Sequence, residues 1–142
     1  LARIPFGAEI ERAIIWLRWP VLFAVTMLGL AAMYRIGPSR RAAKAKWSLP
    51  GAALGAAIWM AESGAFSWYA SSLGDYAASF GSLASVVVFM TWLWLSAAAL
   101  LFGAEFAAEM EHQTSRDTTL GASKPIGLRG ANMADSVGAA QD

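Results

Sequence analysis

Three groups of side chains in this 142-residue chain could do chemistry. The first centres on Glu62, the one charge in "PGAALGAAIWMAESGAFSWYA", residues 50–70. On a helix, Gly55, Trp59, Phe66 and Tyr69 share its side, at spacings of three, four and seven. Glu62, Trp59 and Tyr69 therefore make a candidate polar site inside an apolar segment. A charge at the centre of a bilayer is disfavoured by about 2.5–3.5 kcal/mol on insertion scales. Glu62 thus reads either as a polar lining of a substrate path, or as a protonated carboxyl that joins two helices as structural glue. The second group is Glu105 with Glu109, one turn apart after "WLWLSAAALLFGA". A carboxylate at a helix C-terminus opposes the macrodipole. The pair reads as an acidic latch for Arg35, Arg40 or Arg41, or as a solvated helix end. The third group is the cation run Arg35, Arg40, Arg41, Lys44 and Lys46, which has no acid among it. It suits contact with anionic lipid head groups.

Catalytic equipment is sparse. The chain has one histidine, His112, and no cysteine. No nucleophile elbow, HExxH or phosphate-binding loop occurs. No catalytic residue, metal site or cofactor is expected. A net charge of +1 points away from a nucleic-acid partner.

The elements that carry these residues are written in the composition. The chain is 57% hydrophobic and 15% charged, with 7 Trp and a mean hydropathy of +0.46. Soluble domains carry about 25% charged residues, so the lipid bilayer is the expected solvent and partner. A helix needs about 20 apolar residues to cross the hydrocarbon core. Residues 82–104 satisfy this outright; 50–70 and 19–36 are further expected spans, the last helped by Arg18 and Arg35 reaching the interfaces. Pro50 fits a first helical turn, and Gly51 with Gly55 forms a GxxxG face that lets another helix approach. Residues 1–18 read as an amphipathic interfacial helix, with the end of a longer helix as the alternative. Residues 37–49 form a basic loop, 71–81 an external loop with Tyr76, Gly81 and a capping Ser82, and 105–113 a helical extension. Residues 114–142, without an aromatic, read as a disordered tail. Trp92 and Trp94 lie midspan and are expected to pack against other helices.

Lys and Arg in short loops mark the cytoplasmic side. Loop 37–49 and the C-terminus are therefore expected inside, and loop 71–81 outside. The fold class is all-α, a polytopic transmembrane bundle with three spans here, in the bacterial inner (plasma) membrane.

The stretches "RWP" at 18–20, "YR" at 34–35, "PGA" at 50–52 and "GDYAASFGSLASVVVFMTWLWLSAAALLFGAEFAAEME" from 74 onward resemble the C-terminal half of the YihY/virulence factor BrkB family. The resemblance covers roughly residues 14–112. It implies a six-helix inner-membrane protein, of which the N-terminal helices lie outside this sequence, and makes Tyr76, Gly81, Ser82, Gly103 and Glu105 motif positions. The family has also carried the label ribonuclease BN, for tRNA processing. Ala77 and Ala107 stand where the family often has Asn. The expected function is non-enzymatic, moving or gating an envelope component of lipid-like character. A scaffold that recruits partners through its cytoplasmic face is the alternative, and a homo-oligomer is compatible with either.

Overall fold

A computed structural model of the chain describes residues 6–39, 41–72 and 81–138, with side chains from residue 9 onward. Three long helices make up most of it: α1, Phe6–Ile36; α2, Ala45–Ser71; and α3, Ser82–His112. A single turn, α4, Asn132–Asp135, lies in the C-terminal segment.

The Ala and Gly content of α2 fixes the arrangement. Gly51, Ala52, Gly55 and Ala56 are all buried, because α2 is packed on one side by α1 and on the other by α3. On α1, Phe23, Met27, Leu30, Ala31 and Tyr34 recur at helical spacing and meet Ala52 and Ala56. On α3, Ala99, Gly103 and Ala107 recur every four residues and face α2. Small residues on both helices bring the backbones together, the device by which helices associate where lipid supplies no hydrophobic drive. The outward faces remain apolar: Trp16, Val25, Leu28, Val87, Trp94 and Leu101 are each more than half exposed. A water-soluble protein of this size does not leave such a surface uncovered. Two helices, α1 from Glu9 onward and α3, are long and apolar enough to cross a membrane.

Several boundaries differ from the sequence reading. The expected interfacial helix and first span are one continuous helix. Arg18 does not end it, because a charge does not break a helix; its guanidinium lies 5.0 Å from the centre of the Trp19 ring. Pro20 sits inside α1, a position that membrane helices tolerate. The helix α2 starts at Ala45, so Pro50 lies past its first turn and Lys46 belongs to the helix rather than the loop. Ser82 is the first residue of α3 and makes no capping hydrogen bond. The cap position is Gly81, whose φ of 54° is one that a side chain disfavours. Trp92 packs as expected, but Trp94 points away from the other two helices and is 70% exposed.

The largest difference is the C-terminal segment. Through Gly138 it is folded against the helix ends rather than disordered. Thr118, Thr119, Arg129 and Ala134 are buried. A segment poor in apolar residues cannot order itself by apolar burial, and this one is held by polar contacts instead. The Arg129 guanidinium donates to the carbonyls of Ser115, Arg116, Lys124 and Ala134, at 2.6–3.2 Å. The Asp135 carboxylate accepts from the backbone N–H groups of Gly127, Arg129, Gly130 and Ala131. Asp117 accepts from the N–H groups of Thr119 and Lys124 and from the Thr119 hydroxyl.

Candidate functional site

The structure separates the expected site residues into three places. Glu62 is half-buried on α2, and its Oε1 is shut off from solvent without a hydrogen-bond partner. Trp59 does not serve it. The Trp59 indole N–H donates to Ser96 of α3 at 3.0 Å, and Trp92 of α3 donates back to Ser63 of α2 at 3.2 Å. The two indoles lie 6.2 Å apart at 58°. This reciprocal pair is the polar lock between α2 and α3 at mid-height. Sequence reading saw both tryptophans but missed Ser63 and Ser96, because serines in a membrane helix reveal their role only with a partner in view. Tyr69, half exposed, lies against Phe66 with ring centres 6.3 Å apart.

Below this lock, Gly51 and Gly55 of α2 meet Gly103 and Ala107 of α3. Ala107, where the family resemblance leads one to expect Asn, abuts Gly51. The hydroxyl of Tyr34, on α1, reaches into this junction. It donates to the Leu100 carbonyl and lies within contact of both Gly55 and Gly103. Tyr34 thus ties all three helices at one point. The "YR" pair marked it in the sequence, without indicating that the missing side chains at 55 and 103 make room for its ring.

Beside the junction lies a groove of about 950 Å³. The end of α1 (Met33, Tyr34) forms one wall, Ser48 of α2 contributes to the floor, and the α3 face of Leu101, Ala104 and Glu105 forms the other wall. Met133 of the C-terminal segment stands at its end. The lining is overwhelmingly apolar, and Glu105 and Glu111 are the acidic residues among it, near the end of α3. Its volume is that of a small-molecule site.

The expected latch has a different composition. Glu105 is exposed and makes no ion pair with Arg35 or Arg41 among the described residues. Glu109 faces His112, with 3.7 Å between Oε2 and Nδ1, and accepts from the Gln113 side chain. The deeply buried acid is Glu111, 1% exposed, which accepts from the Thr118 hydroxyl at 3.2 Å. In the basic loop, Lys44 donates to the Asp117 carbonyl at 2.9 Å, and the Arg41 guanidinium lies against Gly121. Arg35 is half-buried and Lys46 exposed. Tyr76 and Arg40 lie outside the described residues. Among the described residues, no group of three acids or histidines is placed to hold a metal.

The carboxylates of the C-terminal segment are strongly tuned. Backbone N–H groups, led by that of Lys124, hold Asp117 well below the usual carboxylate range, and the N–H of Arg129 leads those that lower Asp135. Both are poised to stay ionised.

A family model described as virulence factor BrkB matches residues 2–126. The ribonuclease-like protein YfkH of Bacillus subtilis is 32% identical over 92 residues, covering 65% of this chain and 33% of that protein. A UPF0761 membrane protein of Alkalilimnicola ehrlichii is 34% identical over 84 residues, covering 59% and 19%. Another, from Tolumonas auensis, is 31% identical over 106 residues, covering 72% and 33%. The chain spans a third or less of the length of these relatives. No solved structure matches it.

Proposed function

Since this chain belongs to the virulence factor BrkB family of membrane proteins, we propose that it is a segment of a multi-pass inner-membrane bundle that moves or gates an envelope component of lipid-like character, without enzymatic chemistry. The groove between α1 and α3 carries the reading. It is apolar along its length, bounded by helices whose outer faces suit lipid, and has acidic residues near one end. An acyl chain fits such a lining, and the acids near the end of α3 suit the polar part of the same molecule.

In this proposal all three helices cross. At about 1.5 Å per residue, the 27 residues of α2 reach about 40 Å, longer than the ~30 Å hydrocarbon core. The loop between α1 and α2 and the C-terminal segment then lie together on the cytoplasmic side, as the concentration of cations at residues 35–46 supports. Among the described residues, Arg35 at the end of α1 and Lys46 at the start of α2 are the cations left for anionic head groups. The outward faces of α1 and α3 take lipid, the N-terminal helices of the complete protein, or a second copy. Glu62, with an unpartnered oxygen, is the polar contact offered to one of these or to a substrate.

Full-length protein in liposomes carrying a fluorescent lipid analogue tests the reading. Translocation faster than in protein-free liposomes is expected, and Ala104→Trp, which fills the groove, should slow it. No acceleration by the wild-type protein overturns it. A scaffold is the second reading, favoured by the folded C-terminal segment; specific capture of a partner that depends on this segment, without translocation, would select it.

A further inference from the structure

The C-terminal segment has an organisation that membrane anchoring alone does not call for. It bridges two elements far apart in sequence. Toward the loop between α1 and α2, Thr119 pairs antiparallel with Ala43. The Lys44 N–H donates to Thr118 at 2.7 Å, the Leu120 N–H to Ala42 at 2.9 Å, and the Arg41 N–H to Gly130 at 3.2 Å. Toward α3, the Thr118 hydroxyl donates to buried Glu111, and the Gly138 N–H donates to the His112 carbonyl at 3.1 Å. Between these anchors, Met133 of α4 forms the end of the groove.

We propose that residues 114–138 are a strap, clasped by Arg129, that closes one end of the groove and must undock for entry from that end. The proposal rests on the groove being the functional site, but it concerns access rather than transport.

Arg129 is the clasp because one buried guanidinium joins both halves of the strap. It binds Ser115 and Arg116 at the strap's start, and Lys124 and Ala134 further along. Hydrogen bonds to charged groups are the strong ones. The strap buries little apolar surface beyond Ala131 and Ala134. Few buried apolar contacts mark a segment that opens locally at low free energy. A segment held by a handful of directional polar bonds can release as a unit and leave the helix bundle intact. The small-residue packing of α2 against α3 does not involve it.

The absence of cysteine from the chain provides the test. In the full-length protein, with any native cysteines elsewhere replaced by serine, Ala104→Cys places one thiol in the groove. Its modification by a charged maleimide is timed in inside-out membrane vesicles, alongside trypsin cleavage at the exposed Arg116, whose carbonyl Arg129 holds. With Arg129→Ala added, modification should quicken on the order of tenfold, the scale expected when a docked segment loses charged hydrogen bonds, and tryptic release of the tail should quicken with it. A disulfide between His112→Cys and Gly138→Cys, whose backbones already meet, formed before the labelling step, should hold the Met133 half of the strap and return Ala104→Cys in the Arg129→Ala background to its slow rate. Unchanged modification in Arg129→Ala overturns the strap, whether or not trypsin releases the tail. Fast modification that persists after the disulfide has formed overturns it as well. These readouts do not depend on translocation, so failure of the strap and failure of the transport reading are told apart.

Discussion

Replacing Gly103 with alanine should disrupt the bundle, because its α-carbon lies at the closest approach of α2 and α3. A Cβ at residue 103 would lie 2.7 Å from the Gly51 carbonyl oxygen, 2.7 Å from the Tyr34 hydroxyl and 2.9 Å from the Gly55 Cα. Two of these three neighbours are backbone atoms of α2, which cannot rotate aside. The methyl therefore forces α2 away from α3, or displaces Tyr34, or both. Overpacking of a tight contact costs about 1–3 kcal/mol. Losing the Tyr34 hydrogen bond to Leu100 adds about 1 kcal/mol. The expected destabilisation is thus about 2–4 kcal/mol. The controls are Gly29→Ala and Gly64→Ala, where an added Cβ meets nothing within 4 Å; these should be neutral or slightly stabilising, since alanine is the better helix former. The assay is thermal unfolding of the full-length protein in one detergent, followed by monodisperse fraction. If Gly103→Ala is as stable as Gly64→Ala, the close crossing of α2 and α3 at Gly51, Gly55 and Gly103 is wrong, and with it the placement of Tyr34.

Tyr34→Phe keeps the ring and should lose about 1 kcal/mol of unfolding free energy in the same assay, the contribution of one hydrogen bond. A double-mutant cycle on Trp59→Phe and Ser96→Ala should return a coupling of about 0.6 kcal/mol and no more than about 1.7, the range for polar pairs between membrane helices. Glu62→Gln should preserve the melting temperature, because no hydrogen bond to its carboxylate is lost among the described residues, yet lower translocation in liposomes if the carboxylate lines the path. Asp117 and Asp135 both have folded-state pKa values depressed by backbone N–H donors. Their contribution to docking is therefore fully present above the unfolded value of about 3.9 and disappears as pH falls through the depressed values. A spin label at Ser136→Cys should stay immobilised from pH 7 down to about 5 and gain mobility only below about 4.

Sequence alone exposed some of this and hid the rest, for definite reasons. The membrane-suited character of α1 and α3 followed from uncharged runs. The Gly51 and Gly55 face was visible because four-residue spacing of small residues has one physical use in lipid. Its partner face is written in the same spacing, yet only Gly103 is marked, as a motif position; Ala107, one turn on, reads as a departure from the family rather than as part of the contact. The start of α2 was misplaced because Pro50 fits a first turn as well as it fits a tolerated interior position. The folded tail was invisible, since its order comes from one arginine and two aspartates meeting backbone groups that no periodicity announces. The burial of Glu111, the most buried acid described, was equally invisible, because its partner, Thr118, belongs to that tail.

In the proposed topology three helices cross the bilayer, with the loop between α1 and α2 and residues 114–138 on the same, cytoplasmic side. Single cysteines at Ser39, Ser72 and Ser136 in the otherwise cysteine-free full-length protein test it most directly. An impermeant maleimide should modify Ser39→Cys and Ser136→Cys only in inside-out vesicles, and Ser72→Cys only in right-side-out cells or spheroplasts. If Ser72→Cys reacts from the same side as Ser39→Cys, α2 does not cross, and the three-span bundle and its groove are wrong.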